Sequence, residues 1–131
     1  MHFFYTHVAL NDTIDSLKNE FKDDVSNNVI VCGAYDLSKN HNFATLTDRY
    51  DKIIVFNQEP LLANQQQFMH RNYFYWLKAA DEVWDYDEQN LALLKHVRPD
   101  AKLHILKPYK DYSNFEKVDK DIDILFYRVY E

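Results

Sequence analysis

Short runs rich in apolar residues alternate with longer polar or amphipathic segments along this chain. Runs at residues 29–32, 53–56, 83–86 and 103–106 are typical of strands buried on both faces of a sheet. Residues 2–10 are rich in aromatic and β-branched side chains and predict a strand before these runs. The pattern therefore predicts at least five short strands.

The segments between these runs carry helical patterns. Apolar residues spaced by three and four positions over residues 14–21 predict an amphipathic helix, with Asn11-Asp12 as candidate caps. A second helix is predicted over at least residues 68–80, and a third begins after Asp87, its expected N-cap. Residues 34–50 fit either one or two turns of helix or an irregular segment.

Strands that alternate with helices predict an α/β fold: a Rossmann-like, open, mostly parallel sheet with helices on both faces. Right-handed crossovers are expected between its strands. Residues 1–108 are predicted to form this domain, 109–120 a polar linker, and 121–131 a strand at the start of a second domain. Ligands of such sheets bind outside the carboxyl ends of the strands.

Composition narrows the class of protein. A chain of 131 residues is about one domain, and 10 Tyr and 9 Phe supply large apolar side chains for its core. The formal charge of −6 disfavours nucleic-acid binding, and no apolar run approaches the roughly 20 residues of a membrane span. The single cysteine, Cys32, lies in an apolar run. It excludes an internal disulfide, predicts a buried thiol and favours a cytoplasmic protein.

Several kinds of site are excluded by their missing motifs. With one glycine, Gly33, the chain cannot build the glycine-rich loops that cradle dinucleotides or nucleotide phosphates. No G-x-S-x-G motif is present, and the six histidines have no metal-site spacing. We therefore expect neither a cofactor nor a metal in this domain.

The segment Asn57-Gln58-Glu59-Pro60 follows one predicted strand. One interpretation places Gln58 and Glu59 in a cleft, where Glu59 binds sugar hydroxyls or acts as a general base. The other makes Asn57 a helix cap and Glu59 a partner of the helix dipole. The residues favour the second interpretation by about two to one, by general capping preferences alone.

Two further segments carry candidate side chains. Asp85 and Tyr86 end another predicted strand and line the same edge, although Asp87 there is a natural N-cap. The aromatic block at residues 73–76 offers stacking surfaces, but consecutive residues of a helix point in several directions. That block is therefore expected to serve mainly the core or an interface.

Four segments resemble the amino-terminal half of the two-domain GT-B glycosyltransferases of bacteria and viruses. They read KIIVFNQEPL at residues 52–61, ADEVWDY at 80–86 followed by Asn90 and Leu94, ILKPY at 105–109 and DIDILFY at 121–127. The resemblance covers about residues 28–127 and rests mainly on the second and fourth segments together.

This resemblance implies a domain that shapes the acceptor side of a cleft, with a nucleotide sugar held by a second domain. It implies Glu59 as the catalytic residue, and Asn57, Gln58, Asp85 and Tyr86 as acceptor-binding residues. In the family the fourth segment runs into a glycine-containing turn and basic residues, whereas here Arg128-Val129-Tyr130-Glu131 follows it. Sugar transfer by this chain alone is therefore not expected.

Two hypotheses stay open from the sequence. Either the chain is the acceptor-side half of a glycosyltransferase, with a carbohydrate acceptor as its partner, or it is a non-catalytic binding module. The second hypothesis predicts a protein partner or self-association through the strand at residues 121–127. The sequence does not decide whether the chain is an enzyme.

Overall fold

A five-stranded, wholly parallel sheet forms the centre of the protein. The computed structural model describes residues 1–5, 10–35, 42–59, 61 and 71–107. The strands lie side by side in chain order: β1 (His2–Phe4), β2 (Asn28–Cys32), β3 (Lys52–Asn57), β4 (Glu82–Asp85) and β5 (Lys102–Leu103). The predicted linker at 109–120 and strand at 121–127 lie outside the described residues.

Four described helices alternate with these strands: α1 (Asn11–Glu20), α2 (Phe43–Thr47), α3 (Arg71–Ala79) and α4 (Glu88–Leu94). The prediction of a Rossmann-like α/β fold with an open parallel sheet is confirmed. None of the helices in the described ranges is long and apolar enough to cross a membrane.

Helices cover both faces of the sheet because the central strands are apolar on both sides. Alternate residues of a strand point to opposite faces, and the sheet therefore has one core on each face. Val55 belongs to the core shared with α2, α3 and α4, whereas Phe56 belongs to the core shared with α1. Ile14 and Leu17 of α1 are at most 1% exposed in the second of these cores.

The crossovers of this sheet do not all have one hand. Because the strands follow one another in chain order, every crossover advances in the same direction across the sheet. Crossovers of uniform hand then place all helices on one face, as in a β/α barrel. Since α1 lies on the face opposite α2 to α4, the β1–α1–β2 connection differs in hand from those that follow it. The expectation of right-handed crossovers throughout is wrong.

Both edge strands are shorter than predicted. The strand expected over residues 2–10 ends at Phe4, and Leu10 is the N-cap of α1. The strand expected over residues 103–106 as a buried one is instead β5, in which Lys102 and Leu103 are both exposed. An edge strand has a neighbouring strand on one side only. An apolar run in the sequence therefore predicts an edge strand that is longer and more buried than the one observed.

One predicted helix cap is confirmed and another is wrong. The Asp87 carboxylate accepts a hydrogen bond from the Asn90 backbone N–H at 2.9 Å, so the predicted N-cap of α4 is confirmed. The N-cap of α1 is Leu10, without a side-chain bond, and Asn11 lies inside that helix. The prediction of an Asn11 or Asp12 cap is therefore wrong.

Candidate functional site

The carboxyl ends of β3 and β4 bring two of the predicted site residues together. Asn57 and Asp85 are partners in the strand register, and Asn57 Nδ2 donates a hydrogen bond to Asp85 Oδ2 at 2.8 Å. Both side chains are almost completely buried, at 1% and 0% exposed. They form the base of the candidate site rather than its surface.

Asp85 is the centre of a buried hydrogen-bond network. Its Oδ2 also accepts from Asn90 Nδ2 at 2.7 Å, and its Oδ1 accepts from the Asp87 backbone N–H at 3.0 Å. Burial raises the pKa of Asp85, and the hydrogen bonds from Asn57, Asp87 and Asn90 oppose this rise. The carboxylate is thus held by donors from β3 and from the start of α4.

Tyr73 of α3 completes this network from the opposite side of Asn57. The Tyr73 hydroxyl donates to Asn57 Oδ1, and the side chain is 1% exposed. Burial raises the pKa of Tyr73 well above its usual range, and the charges of Glu59 and Asp85 add to the effect. The phenol therefore stays protonated and acts as a donor.

The network also holds the loop that follows β3. The Glu59 carbonyl oxygen accepts from Asn57 Nδ2 at 3.1 Å and from Asn90 Nδ2 at 2.9 Å. The Leu61 backbone N–H donates to Asn90 Oδ1. Two asparagine amides thereby fix the backbone that carries Glu59, as a well-satisfied polar network does in a core.

Three predicted site residues lie at the rim above this base. Gln58 and Glu59 are half-buried, and Tyr86 is 44% exposed. Burial raises the pKa of Tyr86, and the charges of Asp85, Asp87 and Glu59 raise it further. The negative charges of these three carboxylates therefore act at the edge where Tyr86 is exposed.

Gln58 links this edge of the sheet to α1. Its Nε2 donates to Thr13 Oγ1 at 3.0 Å, a contact between residues 45 positions apart. Gln58 Oε1 is buried and has no hydrogen-bond partner. An unsatisfied buried acceptor is uncommon in folded proteins.

The structure adds Tyr73, Asn90 and Thr13 to the residues predicted from sequence. Tyr73 lies in the core, as expected for the aromatic block, and its hydroxyl also donates to Asn57. Thr13 lies within α1 and has no motif of its own, whereas Asn90 follows the segment at residues 80–86. The sequence signal for this network is the pair of polar residues that end two predicted strands, Asn57 and Asp85.

The groups around the exposed Tyr86 are mainly hydrogen-bond acceptors, of which Asp85 is buried and Glu59 is half-buried. Such groups suit a ligand rich in O–H or N–H donors and repel phosphates. Within the described ranges, no group of three His, Cys, Asp or Glu side chains could hold a metal ion.

Comparisons with protein-family models, with curated proteins and with solved structures found no match. The functional argument therefore rests on the residues at this edge of the sheet.

Proposed function

We propose that the carboxyl edge of β3 and β4 binds a carbohydrate, as the acceptor-side domain of a GT-B-like glycosyltransferase. The observation that carries this proposal is the environment of Tyr86. Tyr86 is 44% exposed, and burial together with the negative charges of Asp85, Asp87 and Glu59 raises its pKa.

Sugars need two kinds of contact, and this edge supplies both. Their hydroxyl groups donate hydrogen bonds to carboxylate and amide oxygens. Their C–H faces pack on exposed aromatic rings, which are apolar on the face and polar at one tip in the case of tyrosine. A ring beside several acceptors therefore favours a polyhydroxylated ligand over an anion or an apolar molecule.

The proposed roles divide between base and rim. Asn57 and Asp85, both buried, position the loop after β3. Glu59 and Gln58 bind the acceptor hydroxyls, and Glu59 is the candidate base for sugar transfer. A nucleotide-sugar donor requires a second binding domain, so the proposal for the described residues is acceptor binding.

The test is an NMR titration of the full chain with methyl glucoside, methyl galactoside and methyl mannoside, each added separately. At least one glycoside is expected to shift the Tyr86 ring resonances and to saturate. Tyr86→Ala is expected to weaken this binding about tenfold or more, as loss of a stacking ring commonly does. Tyr75→Ala is the matched control, because Tyr75 is 59% exposed on α3.

The proposal fails if no glycoside perturbs Tyr86 at millimolar concentration. It also fails if Tyr86→Ala and Tyr75→Ala weaken binding equally, because the effect is then not specific to this edge.

A second candidate function, a protein-binding module, has its own supporting observation. The outer edge strand β5 and the residues after it expose Leu103 at 37% and Ile105 at 62%. An exposed apolar sheet edge is a template for pairing with another chain. Light scattering coupled to size-exclusion chromatography tests self-association, and Ile105→Lys is expected to return any dimer to a monomer. A monomer at all concentrations counts against self-association.

A further inference from the structure

A histidine and a glutamate lie paired on the α1 face of the sheet, apart from the buried network around Asp85. His104 Nε2 and Glu20 Oε2 are 2.8 Å apart, although the residues are 84 positions apart in sequence. Lys107 Nζ lies 3.8 Å from the other carboxylate oxygen of Glu20. The pair joins the last turn of α1 to the segment after β5.

This contact determines which ring nitrogen of His104 carries the proton. An ionised carboxylate only accepts hydrogen bonds, so Nε2 must be the donor. In a neutral imidazole the other nitrogen, Nδ1, then has a free lone pair. Among the described residues Nδ1 has no hydrogen-bond partner, and it is not among the buried unpaired atoms. Nδ1 is therefore an acceptor that is not fully buried and that no described residue uses.

Aromatic packing fixes the plane of this imidazole. The ring stacks on Trp84 with centroids 4.4 Å apart and planes 16° apart. Phe21 stacks nearby at 6.0 Å, and Phe56 contacts the ring with its plane nearly perpendicular, at 6.0 Å. With its side chain 20% exposed, His104 holds Nδ1 in a set direction, and a ligand would not have to order it.

The imidazole also lies at the end of the sheet where ligands of parallel α/β folds bind. His104 directly follows β5, and its backbone N–H donates to the Asp85 carbonyl at 2.8 Å, so it lies beside the carboxyl end of β4. The Asp85 side chain belongs to the buried network, and the His104 ring lies on the opposite face with Trp84 and Phe56.

We propose that Nδ1 of His104 accepts a hydrogen bond from a hydroxyl group of a carbohydrate ligand on the α1 face of this edge. Glu20 is a positioning residue, which holds the tautomer and the ring direction. The choice of a carbohydrate rests on the proposed function, whereas the acceptor role of Nδ1 follows from its contacts.

The experiment is a titration of ¹⁵N-labelled full chain with the same three methyl glycosides, at a pH where the imidazole is neutral. Long-range ¹H–¹⁵N spectra are expected to show His104 protonated at Nε2 and to show a saturable shift of Nδ1 with at least one glycoside. His104→Phe keeps an aromatic ring for the stack on Trp84 and is expected to weaken binding about tenfold, the loss of one hydrogen bond. His96→Phe, at an exposed histidine, is the matched control.

Glu20→Gln separates orientation from mere packing. A glutamine can either accept from Nε2–H or donate to Nε2, so it no longer fixes the tautomer. In this variant the form protonated at Nδ1 is expected to be populated and glycoside binding to weaken, while the circular dichroism spectrum stays that of the parent chain. A purely structural pair predicts a stability change with no change in affinity, and that result overturns the proposal.

The two proposals fail in different ways. A glycoside that shifts Tyr86 and leaves Nδ1 unmoved overturns the His104 proposal only. A glycoside that shifts Nδ1 and leaves Tyr86 unmoved overturns the site at Tyr86 only. Failure of all three glycosides to bind anywhere overturns both.

Discussion

Asn57 and Asp85 lie directly opposite each other on β3 and β4, and the Asn57 amide donates to the Asp85 carboxylate at 2.8 Å. The pair closes the carboxyl edge of the sheet from within, because neither side chain is more than 1% exposed. Their contact turns two strand ends into one rigid base for the loop that carries Glu59.

Removing this carboxylate is expected to destabilise the protein strongly. Asp85→Ala leaves the buried Asn57 and Asn90 amides without one of their two shared acceptors, the other being the Glu59 carbonyl. A loss of about 3 kcal/mol in the free energy of unfolding is expected, since each buried unsatisfied donor costs about 1–3 kcal/mol. Urea denaturation measures this loss, and Asp23→Asn, at an exposed aspartate, serves as the control. A loss equal to that of the control contradicts the role given to Asp85.

The guanidinium of Arg98 caps the carboxyl end of α3. Its Nη1 donates to the carbonyls of Leu77 at 3.0 Å and Ala80 at 2.6 Å, and Nη2 donates to that of Asp81 at 3.0 Å. A lysine cannot reproduce this planar fork.

Arg98→Lys is therefore expected to lower the free energy of unfolding by about 1.5–3 kcal/mol, the range for hydrogen bonds to charged groups. Thermal denaturation followed by circular dichroism provides the measurement. Arg49→Lys, at an exposed arginine, should leave the melting temperature nearly unchanged. Equal effects of the two substitutions speak against the cap.

Glu82 links three strands through its two lysine partners and should make stability depend on pH. The hydrogen bond from Lys52 chiefly lowers the pKa of Glu82 to about 2, with further help from Lys102 and Trp84. Because this pKa lies below the ordinary value of 4.5, the stabilisation is complete above about pH 4.5 and is lost as the pH falls towards 2.

Glu82→Gln is expected to cost about 1 kcal/mol at pH 7, a modest value because the Lys52 and Lys102 side chains are 41% and 63% exposed. The difference from the parent chain should vanish near pH 2 and should shrink in 1 M NaCl. Urea denaturation across this pH range measures it. A difference that persists unchanged at pH 2 contradicts an ionic origin.

The Cys32 thiol is expected to be unreactive in the folded protein. It is completely buried in β2, and burial raises its pKa to about 12. The thiolate is the reactive form, so Ellman's reagent should react only through unfolding, at least about a thousandfold slower than in 6 M guanidinium. Val25→Cys in a Cys32→Ala background is the control, since Val25 is 98% exposed. Rapid reaction of native Cys32 contradicts its burial.

The central strands and the edge strands were predictable to different degrees. The runs at residues 29–32 and 53–56 predicted β2 and β3 well, because a central strand is buried on both faces and appears in the sequence as a continuous apolar run. β1 and β5 were predicted too long. An edge strand pairs with one neighbouring strand only, and its apolar run does not show where this pairing ends. His104 was therefore assigned to the interior of a strand, although it follows the end of β5.

By itself the sequence determined the α/β class, the parallel sheet and the Asp87 cap, because these follow from local periodicity and from a side chain bonding its own helix. The tertiary structure alone decided which polar groups meet: Asn57 with Asp85 and Tyr73, Gln58 with Thr13, and His104 with Glu20. Apart from the Tyr73–Asn57 contact, these join residues 28 to 84 positions apart. Such contacts depend on the strand register and on the face of the sheet that α1 covers. Neither can be predicted from the pattern of a single segment.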